Sequence, residues 1–138
     1  MDLGPRQPAA ATTVVVVLAH RNQGQLDTLL SEIASGRAKP ISHSEFIRKY
    51  APAAQSVRRV TVFLQSRGFQ IVHTGAATIL AVASTRVVER TFATGVHNVR
   101  EASSGDWYES ISRPIPPATI APFLRTVVIS SIPMHAGK

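Results

Sequence analysis

The sequence predicts an α+β fold in which an antiparallel sheet carries helices on one face. Three observations lead there. The run Thr13 to His20 is rich in β-branched residues and apolar on both faces, as a central strand would be. Apolar stripes at helical spacing alternate with strand-like runs. The order of elements is strand, helices, strand, strand, helix, strand. A chain of 138 residues suits one domain, since single domains run about 100–200 residues. Its 44% hydrophobic and 17% charged residues exclude a disordered charged tail.

Residues 1–12 read as a flexible lead-in. In the following strand Val14, Val16 and Leu18 point one way and Val15, Val17 and Ala19 the other. The longest apolar run, Val14 to Ala19, falls far short of the roughly 20 residues of a membrane span. Gly4, Pro5 and Pro8 break the charged region a signal peptide would need. Leu26, Leu29, Leu30 and Ile33 form the stripe of a first helix, ended by Ser35-Gly36. Ser42 and Glu45 stand at capping-box spacing, with Ile41 and Phe46 at the staple positions around them. This second helix stops near Tyr50, because Pro52 disfavours helical geometry at Ala51. A third helix shows Val57, Val60, Thr61 and Leu64 on one face, with Gly68 placed as its left-handed cap.

Strands Phe69–His73 and Thr78–Ala83 follow, joined through Gly75. A fourth helix, Thr85 to Ala93, pairs Val88 with Phe92 and is closed by Gly95. Strands Val96–Glu101 and Trp107–Ile111 flank the turn Ser103-Ser104-Gly105-Asp106. Prolines 114, 116, 117 and 122 leave the tail extended, apart from a helical turn near Thr119–Leu124. A split β-α-β taken twice gives the ferredoxin-like arrangement, with Val96–Glu101 as its fourth strand. Such a sheet leaves one apolar face open for a docking partner, unless the extra strand or the tail covers it.

No phosphate loop, metal-binding His pattern or carboxylate pair emerges, so neither a catalytic site, a cofactor nor a metal is expected. With no cysteine, disulfides, thiolate zinc sites and cysteine nucleophiles are excluded. Fifteen basic residues, twelve of them Arg, stand against eight acidic ones. That excess favours an acidic partner. The bland reading of Arg48-Lys49, Arg58-Arg59, Arg86 and Arg90 is solvated helix faces. RNA binding by such a sheet wants aromatics on the central strands, and 13–20 has none.

The capped helix and its neighbours resemble a known family. Ile41-Ser-His-Ser-Glu-Phe46-Ile-Arg-Lys-Tyr50-Ala-Pro52 is similar to the "Leu-Ser/Thr-x-x-Glu-Phe/Tyr, then aromatic-Ala/Gly-Pro" pattern of the pro-kumamolisin activation domain. Phe63-Leu64-Gln-Ser-Arg-Gly68-Phe69-Gln-Ile71-Val72, the opening Val15–Leu26 region, Val88–Phe92 and Pro114–Pro117 also fit, so the resemblance covers about residues 13–128. It implies a subtilisin-propeptide-like fold and a non-catalytic role: the propeptide of a secreted, acid-acting serine-carboxyl peptidase (a sedolisin). Such a propeptide inhibits the active site, assists folding and is released by autocatalytic cleavage at acid pH.

The implied organisation is an activation domain over 13–113 and a linker over 114–138 toward a catalytic domain not in this chain. The implied partner is a cognate sedolisin-type catalytic domain, with no membrane or nucleic acid involved. The expected partner-binding residues are Arg125, Val127, Val128, Ile129 and Met134, with Trp107 and Tyr108 of the late strand; Ser42 and Glu45 are expected caps. Val127 to Ser130 lack the Gly-Leu often found there in the family. Two other readings stay open: a free-standing inhibitor of the same fold, and a basic RNA-binding module. Affinity for the protease is expected to fall between about pH 6 and pH 4, as carboxylates and His take up protons.

Overall fold

The computed structural model describes residues 1–101 and 105–131. In chain order the strands are β1 (Asp2–Pro5), β2 (Ala11–Leu18), β3 (Gln70–Thr74), β4 (Thr78–Ser84), β5 (Val96–Glu101), β6 (Gly105–Ser110) and β7 (Leu124–Val128). The helices are α1 (Gln23–Ala34), α2 (His43–Tyr50), α3 (Ala54–Ser66) and α4 (Thr85–Phe92), and a 3-10 turn covers Ala121–Phe123. The strands form two antiparallel sheets, β3-β4-β2-β7 and β1-β5-β6.

The four-stranded sheet has the ferredoxin-like order, with β2, α3, β3, β4, α4 and β7 as its successive parts. Its fourth strand is β7, whereas Val96–Glu101, given that place above, pairs in the second sheet with β1 and β6. Residues 114–131, expected within a linker, therefore supply a strand and three core side chains, Ile120, Val127 and Ile129. The reason is local: Val127 alternates inward beside Val16, and the 3-10 turn after Pro117 brings β7 to the β2 edge. Beyond β7 the chain bridges the sheets. Ser110 N donates to Ile129 O at 3.1 Å and Ser131 N to Tyr108 O at 3.0 Å.

Residues 1–12, expected as a flexible lead-in, are also packed. β1 pairs with β5, and the following loop offers Ala10 O and Pro8 O to the amides of Thr85 and Arg86, at 2.9 and 3.0 Å. Those amides belong to the first turn of α4 and have no partner within the helix. Arg6 ties this corner together. Its Nε donates to Thr12 Oγ1 at 3.0 Å, one terminal nitrogen to Asn98 Oδ1 at 3.0 Å and the other to Ala11 O at 2.7 Å. Its guanidinium lies 4.1 Å from the Tyr108 ring centroid, and the Tyr108 hydroxyl accepts from Thr13 N at 2.9 Å. Thr12 and Thr85, both buried, share a hydroxyl contact of 2.8 Å beneath it.

α3 and α4 seal one face of the four-stranded sheet. Val60, Leu64, Val88 and Phe92 pack on Val14, Val16, Leu18, Ile79 and Ala81 in one core. α3 ends in a Schellman motif: Phe69 N donates to Leu64 O at 3.0 Å and Gly68 N to Gln65 O at 3.1 Å, with Gly68 at φ +99°. At α4 the left-handed residue is Ala93 (φ 50°), not Gly95. Gly95 is small for another reason: an added Cβ would meet Ile111 Cδ1 at 3.0 Å. Ser42 Oγ accepts from Glu45 N at 3.2 Å at the start of α2, and the Glu45 carboxylate lies 3.4 Å from Lys49 Nζ. The far end of α2 is gripped by Arg21, whose guanidinium donates to Ala51 O at 2.7 Å and Arg48 O at 2.6 Å.

Two stability predictions follow from these local geometries. Gly68→Ala will destabilise the fold by about 1 kcal/mol and Ala93→Gly will stabilise it by up to about 1 kcal/mol, because only glycine holds a left-handed conformation without strain; opposite shifts of the urea midpoint check both signs. Arg6→Ala will cost about 2–3 kcal/mol, since it removes a donor from two partly buried acceptors and the exposed Ala11 carbonyl at once, and Arg6→Lys will recover little of that because an ammonium lacks the planar fork. The same unfolding curves measure the second pair.

Candidate docking surface

The register of the four-stranded sheet sorts its side chains into two layers. Val16 lies between Ile79 and Val127, and all three are at most 7% exposed beneath the helices. One residue along, Val15 lies between Leu80 and Val128, and this row points to the opposite face and is half-buried. Val17 and Val82 extend it. Thr13, Thr78, Thr126, Gln70 and His73 stand beside these residues in the register, so the apolar patch has a polar margin. An apolar centre with a polar rim is the anatomy of a protein-binding surface.

The partner residues named from the sequence fall in different places. Val128 belongs to the outer row, and Arg125 is the exposed extra residue of the bulge in β7 opposite Val17 and Leu18. Val127 and Ile129 are 7% and 2% exposed and build the core, so they cannot enter a partner's cleft while the domain is folded. Their inward direction is set by strand alternation, which a reading of the tail as extended linker does not apply. Trp107 is half-buried with Nε1 donating to Glu109 Oε1 at 2.6 Å, while Tyr108 is engaged by Arg6 and Thr13. Met134 lies outside the described residues. Val15, Val17, Leu80 and Val82 were not singled out as partner-binding residues, although the two-faced run 13–20 was the signal for this surface.

Two carboxylates of the three-stranded sheet are shifted by their neighbours. The Asp2 carboxyl is held below the usual carboxylate range by the Gly4 amide, which donates to Oδ1 at 2.7 Å, and by His97, whose Nδ1 lies 2.9 Å from both oxygens. Asp106 is held low, and Arg100 high, by their two-pronged pair at 2.9 and 3.1 Å. Among the described residues no group of three or more His, Asp or Glu could hold a metal ion. No helix of the described residues is long and apolar enough to cross a membrane.

The four-stranded sheet is thus sealed by helices on one face and carries a half-buried apolar row on the other. The family model described as the pro-kumamolisin activation domain matches residues 1–131. That match spans nearly the whole chain, and the chain belongs to this family. A search of the curated proteins finds no relative that matches. The family places the chain as a propeptide of the kind carried by acid-acting serine-carboxyl peptidases, itself non-catalytic, in association with a sedolisin-type catalytic domain and in the setting of a secreted zymogen.

Acid is the working condition of that family, and the carboxylates above bear on it. A carboxylate with a lowered folded pKa contributes stability above its unfolded value, here 3.8, and loses it as pH falls through the lowered value. Asp2 and Asp106 will therefore stay ionised from pH 6 down to about pH 4 and protonate only below. Carboxyl chemical shifts of either residue that already move between pH 6 and pH 5 would contradict this.

Proposed function

We propose that this activation domain lays the outer face of its four-stranded sheet on the catalytic domain of its cognate sedolisin, blocks the active site and templates the folding of that domain. The observation that carries the reading is the row Leu80–Val15–Val128, apolar and in register across three strands, on the face away from α3 and α4. Burying such a row is favourable at roughly 25 cal/mol per Å² of apolar surface, before the costs of association. Arg125 beside that face and the overall excess of basic residues suit an acidic protease surface, where opposed charge guides encounter.

Release at acid pH then follows from the interface. Partner carboxylates that face these cations become neutral on protonation, and any His desolvated in the contact gains an uncompensated charge. The lowered carboxyls of Asp2 and Asp106 keep their contacts down to about pH 4, and circular dichroism at both pH values separates loosening of the contact from loss of the fold. Autocatalytic cleavage makes the release permanent.

The test is inhibition of a purified sedolisin by this chain at about pH 6 and about pH 4, the ends of the carboxylate and His titration window. Inhibition will be strong at the higher pH and weaker at the lower. Val15→Asp and Leu80→Asp will each raise the inhibition constant by about tenfold or more at pH 6, as loss of a central apolar anchor does. Thr126→Lys, an exposed change beside Val17, weakens inhibition without touching the core. Flat inhibition across the pH range, or no response to any of the three in chains shown folded by circular dichroism, overturns the reading.

A further inference from the structure

The helix layer has a surface of its own. α3 contains Arg58 and Arg59 and no acidic residue. α4 adds Arg86 and Arg90, and its single carboxylate, Glu89, is occupied by the Val96 amide at 2.8 Å. None of these four arginines makes an ion pair among the described residues. Along the outer side of α3, against the 119–123 segment, runs a groove of about 570 Å³. Val62, Phe63, Ile120 and Phe123 give it apolar walls, Arg58 and Arg59 give it charge, and its other lining residues are uncharged. Val62 is 57% exposed there, although it sits in the middle of a helix.

This combination selects among acidic partners. A concave cleft receives a chain rather than a bilayer surface. Single-stranded nucleic acid would want open aromatic faces for stacking. Here the Arg59 guanidinium lies 5.8 Å from the Phe123 ring centroid and the Arg67 guanidinium 4.9 Å from that of Phe63, so one face of each ring is already covered. What fits is a peptide whose carboxylates alternate with apolar side chains. Arg–carboxylate pairs fix its direction, and an apolar side chain covers Val62.

We propose that the α3 groove binds an acidic-apolar peptide segment of a partner protein, so that the domain carries a second docking surface across the core from the open sheet face. The inference does not depend on which protein the sheet face takes. The groove volume lies in the range of about 300–1,000 Å³ in which concave sites hold ligands well.

The experiment is fluorescence anisotropy of a labelled ten-residue peptide of alternating Glu and Leu, titrated with the full chain. The Glu/Leu peptide will bind, and versions with Gln or Lys in place of Glu will bind at least tenfold more weakly. Arg58→Glu combined with Arg59→Glu, and separately Val62→Asp, will each weaken binding by tenfold or more. Arg58→Gln with Arg59→Gln serves as a milder pair at exposed helix positions, and Val15→Asp on the sheet face will leave binding unchanged. No binding, equal binding of the Gln peptide, or indifference to the Arg58 and Arg59 changes overturns the proposal. So does tighter binding to a single-stranded oligonucleotide or to anionic phosphatidylglycerol vesicles that is lost with the same substitutions.

Discussion

The register of β2 between β4 and β7 is the constraint on which the other features depend. It places Val16 in a row with Ile79 and Val127 beneath the helices, and Val15 in a row with Leu80 and Val128 on the far side. Because side chains alternate with a period of two, a slip of one residue would exchange these rows. The two faces are not equivalent in what receives them: one meets Val60, Leu64, Val88 and Phe92 of the helices, and the other has a margin of Thr, Gln and His. The inner row stabilises the domain by burial, while the outer row keeps part of its apolar surface exposed.

Both ends of the described chain hold that register in place. β7 pairs along β2 and then diverges, so that Ile129 and Ser131 bond to β6 and carry the second sheet with them. From the other end, β1 pairs with β5, and Arg6 joins Thr12, Asn98, Ala11 and the Tyr108 ring in one corner. A guanidinium suits this place because its donors lie in one plane and its face can rest on an aromatic ring. Of the second sheet, β5 and β6 are thus an insertion between α4 and β7, joined by β1 from the N-terminal side, and the ferredoxin-like order of the first sheet survives it.

The two sides of the domain are chemically distinct. The outer sheet face is apolar with polar neighbours that include His73 and Arg125, while the helix layer bears arginines around grooves that contain no carboxylate. An activation domain must hold its protease and later let go. In the proposed contact the apolar row changes little between pH 6 and pH 4, so a response to acid would reside in charge pairs with the partner, where protonation removes the attraction. Among the domain's own carboxylate contacts, those of Asp2 with the Gly4 amide and His97, and of Asp106 with Arg100, lie in the second sheet.

The sequence by itself determined the features that are short in range. The β-branched run 13–18, the Ser42 cap, the stop before Pro52 and the Gly68 end of α3 are each set by the conformational preference of a few adjacent residues, and the structure has them in those places. The family resemblance was legible in the same places, since the stretches 41–52 and 63–72 that carry it hold those caps and turns. Only the tertiary structure decided where β1 and β7 pair, that the strands divide between two sheets, that Val127 and Ile129 turn inward, and that Val15 and Leu80 share an open face. Arg6 likewise gains its partners only once residues 92 positions apart meet. The physical reason is that a strand's identity lies in its hydrogen-bonded neighbour: Leu124–Val128 following a proline-rich stretch reads as extended chain until β2 supplies the edge, and which of its side chains are core follows from that pairing alone.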